Sequence, residues 1–199
     1  MAGSKSEKTR QLIIEKAAPF FNKKGYADTS LSDVTTATGL TKGAIYGNFE
    51  NKDELALAVY DYNHSILFKG QSAAMASTTD PVEKLLAMTA YYRNEFRSVA
   101  LRGGCPVMNA AVEADDNFPA LKTKVKATYR GWRKVIAQTI EEGKRQHRIL
   151  EKADADKYAT LFIALIEGGI LLAKAMDDVS LLNNSLDKID ELIIGELKK

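Results

Sequence analysis

Between Ser30 and Glu54 the sequence starts a helix three times. Ser30 is followed three residues later by Asp33, a reciprocal pair that satisfies free amides at a helix start. Thr41 is the next capping side chain, after the turn residue Gly39. Asn51 is the third, with Glu54 three positions on. A longer helix precedes them. Leu12, Ile13, Ala17, Phe20 and Phe21 share one face from about Glu7 to Lys24, and Gly25 stands where a left-handed cap is expected. Val34, Ala37, Ile45 and Phe49 give the short helices their inward faces. Helices this short are stable only when packed on one another, so this stretch is expected to form one compact unit.

The same periodicity continues down the chain. The helix capped by Asn51 reaches about Met75, long enough to connect two domains. Asp80-Pro81, with Glu83, restarts a helix carrying Val82, Leu85, Leu86, Tyr92 and Phe96. Arg102-Gly103-Gly104-Cys105-Pro106 is a break, and a short helix covers Met108 to Ala114. Pro119 opens a long helix to about Gln146, with Val125, Tyr129, Trp132, Ile136 and Ile140 on one side. Asp154 starts another to about Met176, and the last runs from about Leu186 to Leu197. With four prolines in 199 residues and no strand pattern, the fold class is all-α, with about nine helices. Residues 1–52 are expected to be a three-helix helix-turn-helix domain, and residues 53–199 a second, larger helical domain.

Charge agrees with that division. Residues 1–52 hold eight Lys/Arg against five Asp/Glu, a net of +3, and residues 53–199 hold 20 against 21, a net of −1. The excess is modest, but it coincides with the helix-turn-helix pattern. A non-specific DNA packager needs far more than a total of +2. The single cysteine, Cys105, excludes an intrachain disulfide and fits a reducing cytoplasm. The start, MAGSKSEKTR, has no apolar signal-peptide core. The apolar run Tyr158 to Ala173, interrupted by Glu167 and two glycines, reads as too short to span a membrane. No membrane partner is expected.

The segment from Thr29 to Leu55 resembles the signature of TetR/AcrR-type regulators. The resemblance rests on Gly39, Gly43-Ala44, the Tyr46-x-x-Phe49 spacing and Asn51-Lys52-x-Glu54-Leu55, and covers about residues 7–60. Gly103-Gly104-Cys105-Pro106-Val107-Met108-Asn109 also looks like a segment of some members. The resemblance implies a homodimeric repressor of about nine helices, released from double-stranded operator DNA by a small molecule. Gly47 departs from it, since many members carry a larger residue there.

The residues support DNA binding on their own chemistry. Gly43 and Ala44 let a helix start approach the major groove closely, Ala44 suits a thymine methyl, and Lys42 suits a guanine edge. Tyr46 and Asn48 can donate to phosphates, and Lys52 sits at a helix start that favours phosphate. Thr29, Ser32 and Thr41 offer hydroxyls at helix starts. Lys5, Lys8 and Arg10 form a candidate basic arm.

A single helix-turn-helix reads few base pairs, so a two-fold dimer is expected. Its candidate surface is the stripe Tyr158, Leu161, Phe162, Leu165, Ile166, Gly169, Leu172 and Ala173, with Leu186, Ile189, Leu192 and Ile193. Candidate effector-lining residues are Tyr91, Tyr92, Phe96, Met108, Asn109, Glu113, Tyr129, Trp132 and Phe162. Glu113 and Glu167 are acids on apolar stretches. Each needs a partner: a cationic ligand, an Arg or Lys, or solvent. Cys105 before Pro106 is either a reactive thiol or a small apolar side chain. No catalytic, metal or cofactor motif is present: His64 and His147 stand alone, without paired-His spacing, a phosphate-cradling glycine loop or a Gly-x-Ser-x-Gly turn.

Overall fold

The structure, a computed structural model, describes residues 5–199 apart from the side chains of Lys5 and residues 115–117. The Lys5 side chain of the expected basic arm therefore lies outside the described residues. The described helices are α1 (Lys5–Lys24), α2 (Leu31–Thr38), α3 (Lys42–Tyr46), α4 (Lys52–Met75), α5 (Pro81–Leu101), α6 (Pro106–Asn117), α7 (Pro119–Arg145), α8 (Ala155–Ala175) and α9 (Val179–Leu192). A π-helical turn, Ile193–Leu197, follows. The described residues include no strand, only a single bridge between Ile149 and Lys198.

Packing groups the residues differently from a division at 52/53. One compact unit takes the chain up to Ile66 and Pro106–Val125, and the other takes Leu67–Cys105 and Lys126–Lys199. α4 contributes its first turns to one unit and its last to the other. α6 and the start of α7 join the N-terminal unit because their inward faces, Val107, Ala110 and Leu121, are buried.

The N-terminal unit is built as the caps require. The Ser30 Oγ accepts from the Asp33 amide at 3.1 Å, while Asp33 accepts from the Ser30 amide at 2.9 Å. Lys24 also bonds Asp33 at 2.5 Å. The Lys24 and Ser30 contacts together hold the Asp33 carboxyl at about 2, well below its ordinary range. Ile13, Ala17 and Phe21 of α1, Val34 of α2, Ile45 of α3, Phe49, and Leu55 and Val59 of α4 are buried. Each large side chain of this set contributes about 2 kcal/mol of transfer free energy. Arg10 is not an arm residue. Its guanidinium lies 4.0 Å over the Phe49 ring, bonds Glu54 at 2.7 Å and donates to the Asn48 carbonyl, so it fastens α1 to the turn before α4.

In the C-terminal unit, Asp80 caps α5 by accepting from the Val82 and Glu83 amides. Val82, Leu85, Met88, Tyr92, Ile136, Ile140, Phe162, Ile166, Leu182, Leu186 and Ile189 form its core. α9 starts at Val179 rather than near Leu186, because Asp178 provides an earlier cap, accepting from Ser180 at 2.9 Å. Arg93 bridges α5 to α9 through Asp187 and Asp190 at 3.0 and 3.1 Å. α8, at 21 residues, is long and apolar enough to cross a membrane. Its buried face, with Phe162, Ile166, Gly169, Ile170 and Ala173, accounts for that composition within the protein's own core.

Gly169 sets the spacing of α8 and α9. A Cβ there would stand 2.9 Å from Leu182 Cδ1 and 3.0 Å from Ser185 Cβ. Gly169→Val should destabilise the protein by about 2 kcal/mol through overpacking, read as a lower urea midpoint with an unchanged m-value. A neutral result would show that the helices have room to part.

Candidate functional site

α3 is five residues long, and its inward side is Ile45 alone. Thr41 caps it, its Oγ1 accepting from the Ala44 amide at 3.2 Å. That cap leaves the first residues facing out. Lys42 and Gly43 are exposed, Ala44 is half-buried, and Tyr46 is 52% exposed, unusual for a large aromatic. Ser32 on α2 is exposed as well.

Three other candidates are placed differently. Thr29 is fully buried, and its hydroxyl donates to the Gly25 carbonyl at 2.6 Å, so it closes the α1–α2 turn. Asn48 is half-buried, and its amide donates to the Ala44 carbonyl at 2.8 Å, which terminates α3. Lys52 at the start of α4 donates to the Ala27 carbonyl at 2.6 Å, leaving it two further N–H donors.

The Ala27 peptide is held from the other side too. The Glu113 carboxylate of α6 accepts from the Tyr26 amide at 2.7 Å and from the Ala27 amide. Gly25, at φ 97°, turns the chain and leaves space: a Cβ there would lie 2.7 Å from a Glu113 oxygen. Asn109, one turn earlier on α6, donates to the Asn22 carbonyl and side chain at 3.1 Å each. Glu113 and Asn109 were expected to line an effector pocket. They instead clamp α6 onto α1 and its following turn, because those free amides and carbonyls need partners. Met108 is half-buried on the same helix.

In the C-terminal unit, four of the expected effector residues meet. Tyr91 and Tyr92 pack edge to face at 5.4 Å, Tyr92 and Trp132 lie 6.1 Å apart, and Tyr129 and Trp132 stack at 6.4 Å. Phe68 joins edge-on to Trp132 at 5.3 Å. Glu167 reaches this cluster from α8, where one oxygen accepts from the Tyr129 hydroxyl at 3.0 Å and the Cys105 thiol at 3.3 Å. Burial pushes its carboxyl up from an ordinary 4.5 to about 7, against the opposing pull of those two hydrogen bonds. Phe162 is buried in the core beside Tyr158, at 6.0 Å. Phe96 is half-buried and lines an open groove with Arg93, Leu101, Lys174 and Val179.

The expected dimer stripe divides in two. Phe162, Ile166, Gly169, Ala173, Leu186, Ile189, Leu192 and Ile193 are covered within the chain itself, so they cannot form an outer surface. Leu161 and Leu172 remain exposed, and Tyr158 and Leu165 are half-buried. Leu171, Met176, Val179 and Ile194 are also exposed, which the stripe did not include.

A capped short helix that presents its first turn, set behind α2 and braced by α1 and α4, is a helix-turn-helix of the DNA-reading kind. The comparisons agree. The family model for bacterial regulatory proteins of the tetR family matches residues 13–59. The tetracyclin repressor-like C-terminal domain matches residues 81–189. A TetR-family transcriptional regulator from Cytophaga hutchinsonii is 38% identical, with 100% of this chain and 98% of that one covered and a TM-score of 0.93. A TetR regulator from Chloroflexus aurantiacus is 34% identical, with 98% of each chain covered and the same TM-score. The HTH-type transcriptional repressor DhaR of a Mycobacterium species is 27% identical, over 83% of this chain and 82% of its own. The chain belongs to the TetR family of transcriptional regulators, and it is a DNA-binding regulator of transcription.

Two outcomes follow from Glu113, half-buried, and Glu167, buried. Glu113→Ala should cost about 1 kcal/mol, since two partly exposed amides lose their acceptor, measured by urea unfolding; no loss would mean water replaces the carboxylate freely. Glu167 titrates higher in the folded chain than in the unfolded one. Folding therefore retains a proton between pH 4.5 and about 7, and stability declines as pH rises through that window. Glu167→Gln should remove this decline, gaining on the order of 3 kcal/mol relative to wild type between pH 4.5 and 8. Parallel pH–stability curves for the two proteins would contradict the burial of a charge there.

Proposed function

We propose that this protein is a homodimeric cytoplasmic repressor, without catalytic activity, that leaves a palindromic operator when a small molecule binds its C-terminal unit. The observation that carries the reading is the outward face of α3. Lys42, Gly43, Ala44 and Tyr46 stand exposed or half-exposed at a capped helix start, the geometry a major-groove reader needs. Ser32 and Thr41 support phosphate contacts at its edge, and the free N–H groups of Lys52 add a cationic one. In the bound state each dimer sets two α3 helices in successive major grooves, about 34–36 Å apart.

The dimer surface we assign is the exposed side of α8 and the start of α9, with Leu161, Leu171, Leu172, Met176 and Val179. Apolar exposure of this size on adjacent turns favours a covering partner. Ligand and operator must then weaken each other by the same factor.

Selection of binding sites from random DNA by the purified protein, at a fixed salt concentration, tests the reading. An enriched inverted repeat with half-sites one helical turn apart is the expected result. Binding that only fades with salt, with no enrichment, would overturn it. On the selected site, Lys42→Ala should weaken binding at least about tenfold and relax the preference at one base pair of each half-site. A uniform loss across all sequences would assign Lys42 to phosphate instead.

A further inference from the structure

The buried cluster of the C-terminal unit is left chemically incomplete in two places. Glu167 is 8% exposed, and its hydrogen bonds from Cys105 and Tyr129 both fall on one oxygen, while Oε2 is fully covered with no partner among the described residues. Trp132 is 2% exposed, and its indole Nε1 is equally covered and unpartnered. Buried polar atoms are nearly always bonded, and each exception costs stability or serves a ligand.

These two atoms ask for opposite things. Glu167 Oε2 asks for a hydrogen-bond donor, and its charge asks for a cation. The groups that face the carboxylate are the Cys105 thiol from the turn before α6, the Tyr129 hydroxyl from α7 and, on α5, Tyr92. Tyr92 is occupied by Gln71, to which it donates at 2.8 Å. Burial holds the Tyr92 hydroxyl well above its ordinary range, and the Glu167 acidity is set by burial and by the Cys105 and Tyr129 hydrogen bonds, with no basic side chain among its causes. A water molecule can answer the hydrogen bonds but not the charge. The Trp132 N–H asks for an acceptor. The rings of Tyr92, Tyr129 and Trp132 supply the faces over which a cation is favoured.

We propose that the effector is a small organic ammonium ion carrying a hydrogen-bond acceptor close to its nitrogen, held by Glu167 Oε2 and the Trp132 indole N–H among the rings of Tyr92 and Tyr129. The proposal rests on the reading that a small molecule acts through this unit, and it names the chemistry of that molecule. Near pH 7 the Glu167 carboxyl is partly protonated, so an arriving cation expels a proton, whereas a neutral ligand favours the protonated acid and takes one up.

Trp132 is the one tryptophan in the chain, so its fluorescence reports the site directly and needs no DNA. The probes are phenylethanolamine, as its ammonium ion, and phenylethylene glycol, which differ in an ammonium against a hydroxyl. Wild type should bind the ammonium at least about tenfold tighter than the glycol. Glu167→Gln should bring the two affinities together. Calorimetry in two buffers of different ionisation enthalpy should show proton release on ammonium binding to wild type and none with Glu167→Gln. Equal affinities, proton uptake, or a Trp132 signal that neither probe changes would overturn the proposal. Retained thermal unfolding of Glu167→Gln establishes that a lost preference is not a lost fold. An ammonium ion that binds this way yet leaves operator affinity unchanged would sink the effector reading while the cation site stands. A glycol that binds as tightly and releases DNA would do the reverse.

Discussion

The peptide of Ala27 is gripped from both sides, and the DNA-reading unit depends on that grip. Its N–H is taken by Glu113 of α6 and its carbonyl by Lys52 of α4. The helix that reads DNA is five residues long and has one buried side chain, too little to hold its own orientation. Its position is inherited from α1, α2 and the start of α4. The turn between α1 and α2 fixes those three, through buried Thr29, left-handed Gly25 and the Glu113 carboxylate. Arg10, stacked on Phe49 and bonded to Glu54, closes the opposite corner. The clamp also makes α6 part of the DNA-reading unit, although Cys105, the residue just before it, contacts Glu167 in the other. The chain runs from Cys105 directly into α6, whose Glu113 bonds the Ala27 amide.

The C-terminal unit carries the opposite kind of feature. Its core of Leu, Ile and Phe side chains is closed and satisfied, while the Glu167–Trp132 cluster is not. Holding a carboxylate at 8% exposure with one oxygen unbonded works against stability. Glu167 Oε2 and Trp132 Nε1 are the unpartnered buried side-chain atoms among the described residues of this unit, and such a retained cost is consistent with the binding site proposed there. Cys105 serves there as a buried hydrogen-bond donor to Glu167.

Local rules were legible in the residues, and long-range ones were not. The caps at Ser30, Thr41, Asp80 and Asp154 are each made by a side chain two or three positions from the amide it satisfies, so spacing alone reveals them. The exposed start of α3 follows from the same logic. The partner of Glu113 lies 86 residues away, and that of Asn109 lies 87 away, and no periodicity encodes such pairings. Thr29 reads as a helix-start hydroxyl, but a buried turn carbonyl claims it. The apolar stripe of α8 and α9 was visible as a stripe. Which half packs inward depends on Gly169 meeting Leu182 and Ser185, a contact between helices rather than a property of either. Among the residues on apolar stretches, Glu167 could be singled out because an acid there must find a partner, yet its partners Cys105 and Tyr129 come from other parts of the chain.

On the proposed function, occupancy of the Glu167–Trp132 cluster and occupancy of operator DNA are energetically one system. The direct measurement is a thermodynamic cycle: the affinity of the tightest Trp132-quenching ligand with and without saturating operator, and that of operator with and without saturating ligand. Both affinities are expected to fall, and by the same factor. Two affinities that do not respond to each other would show that the clamp at Ala27 holds the DNA-reading unit in place without carrying any signal to it.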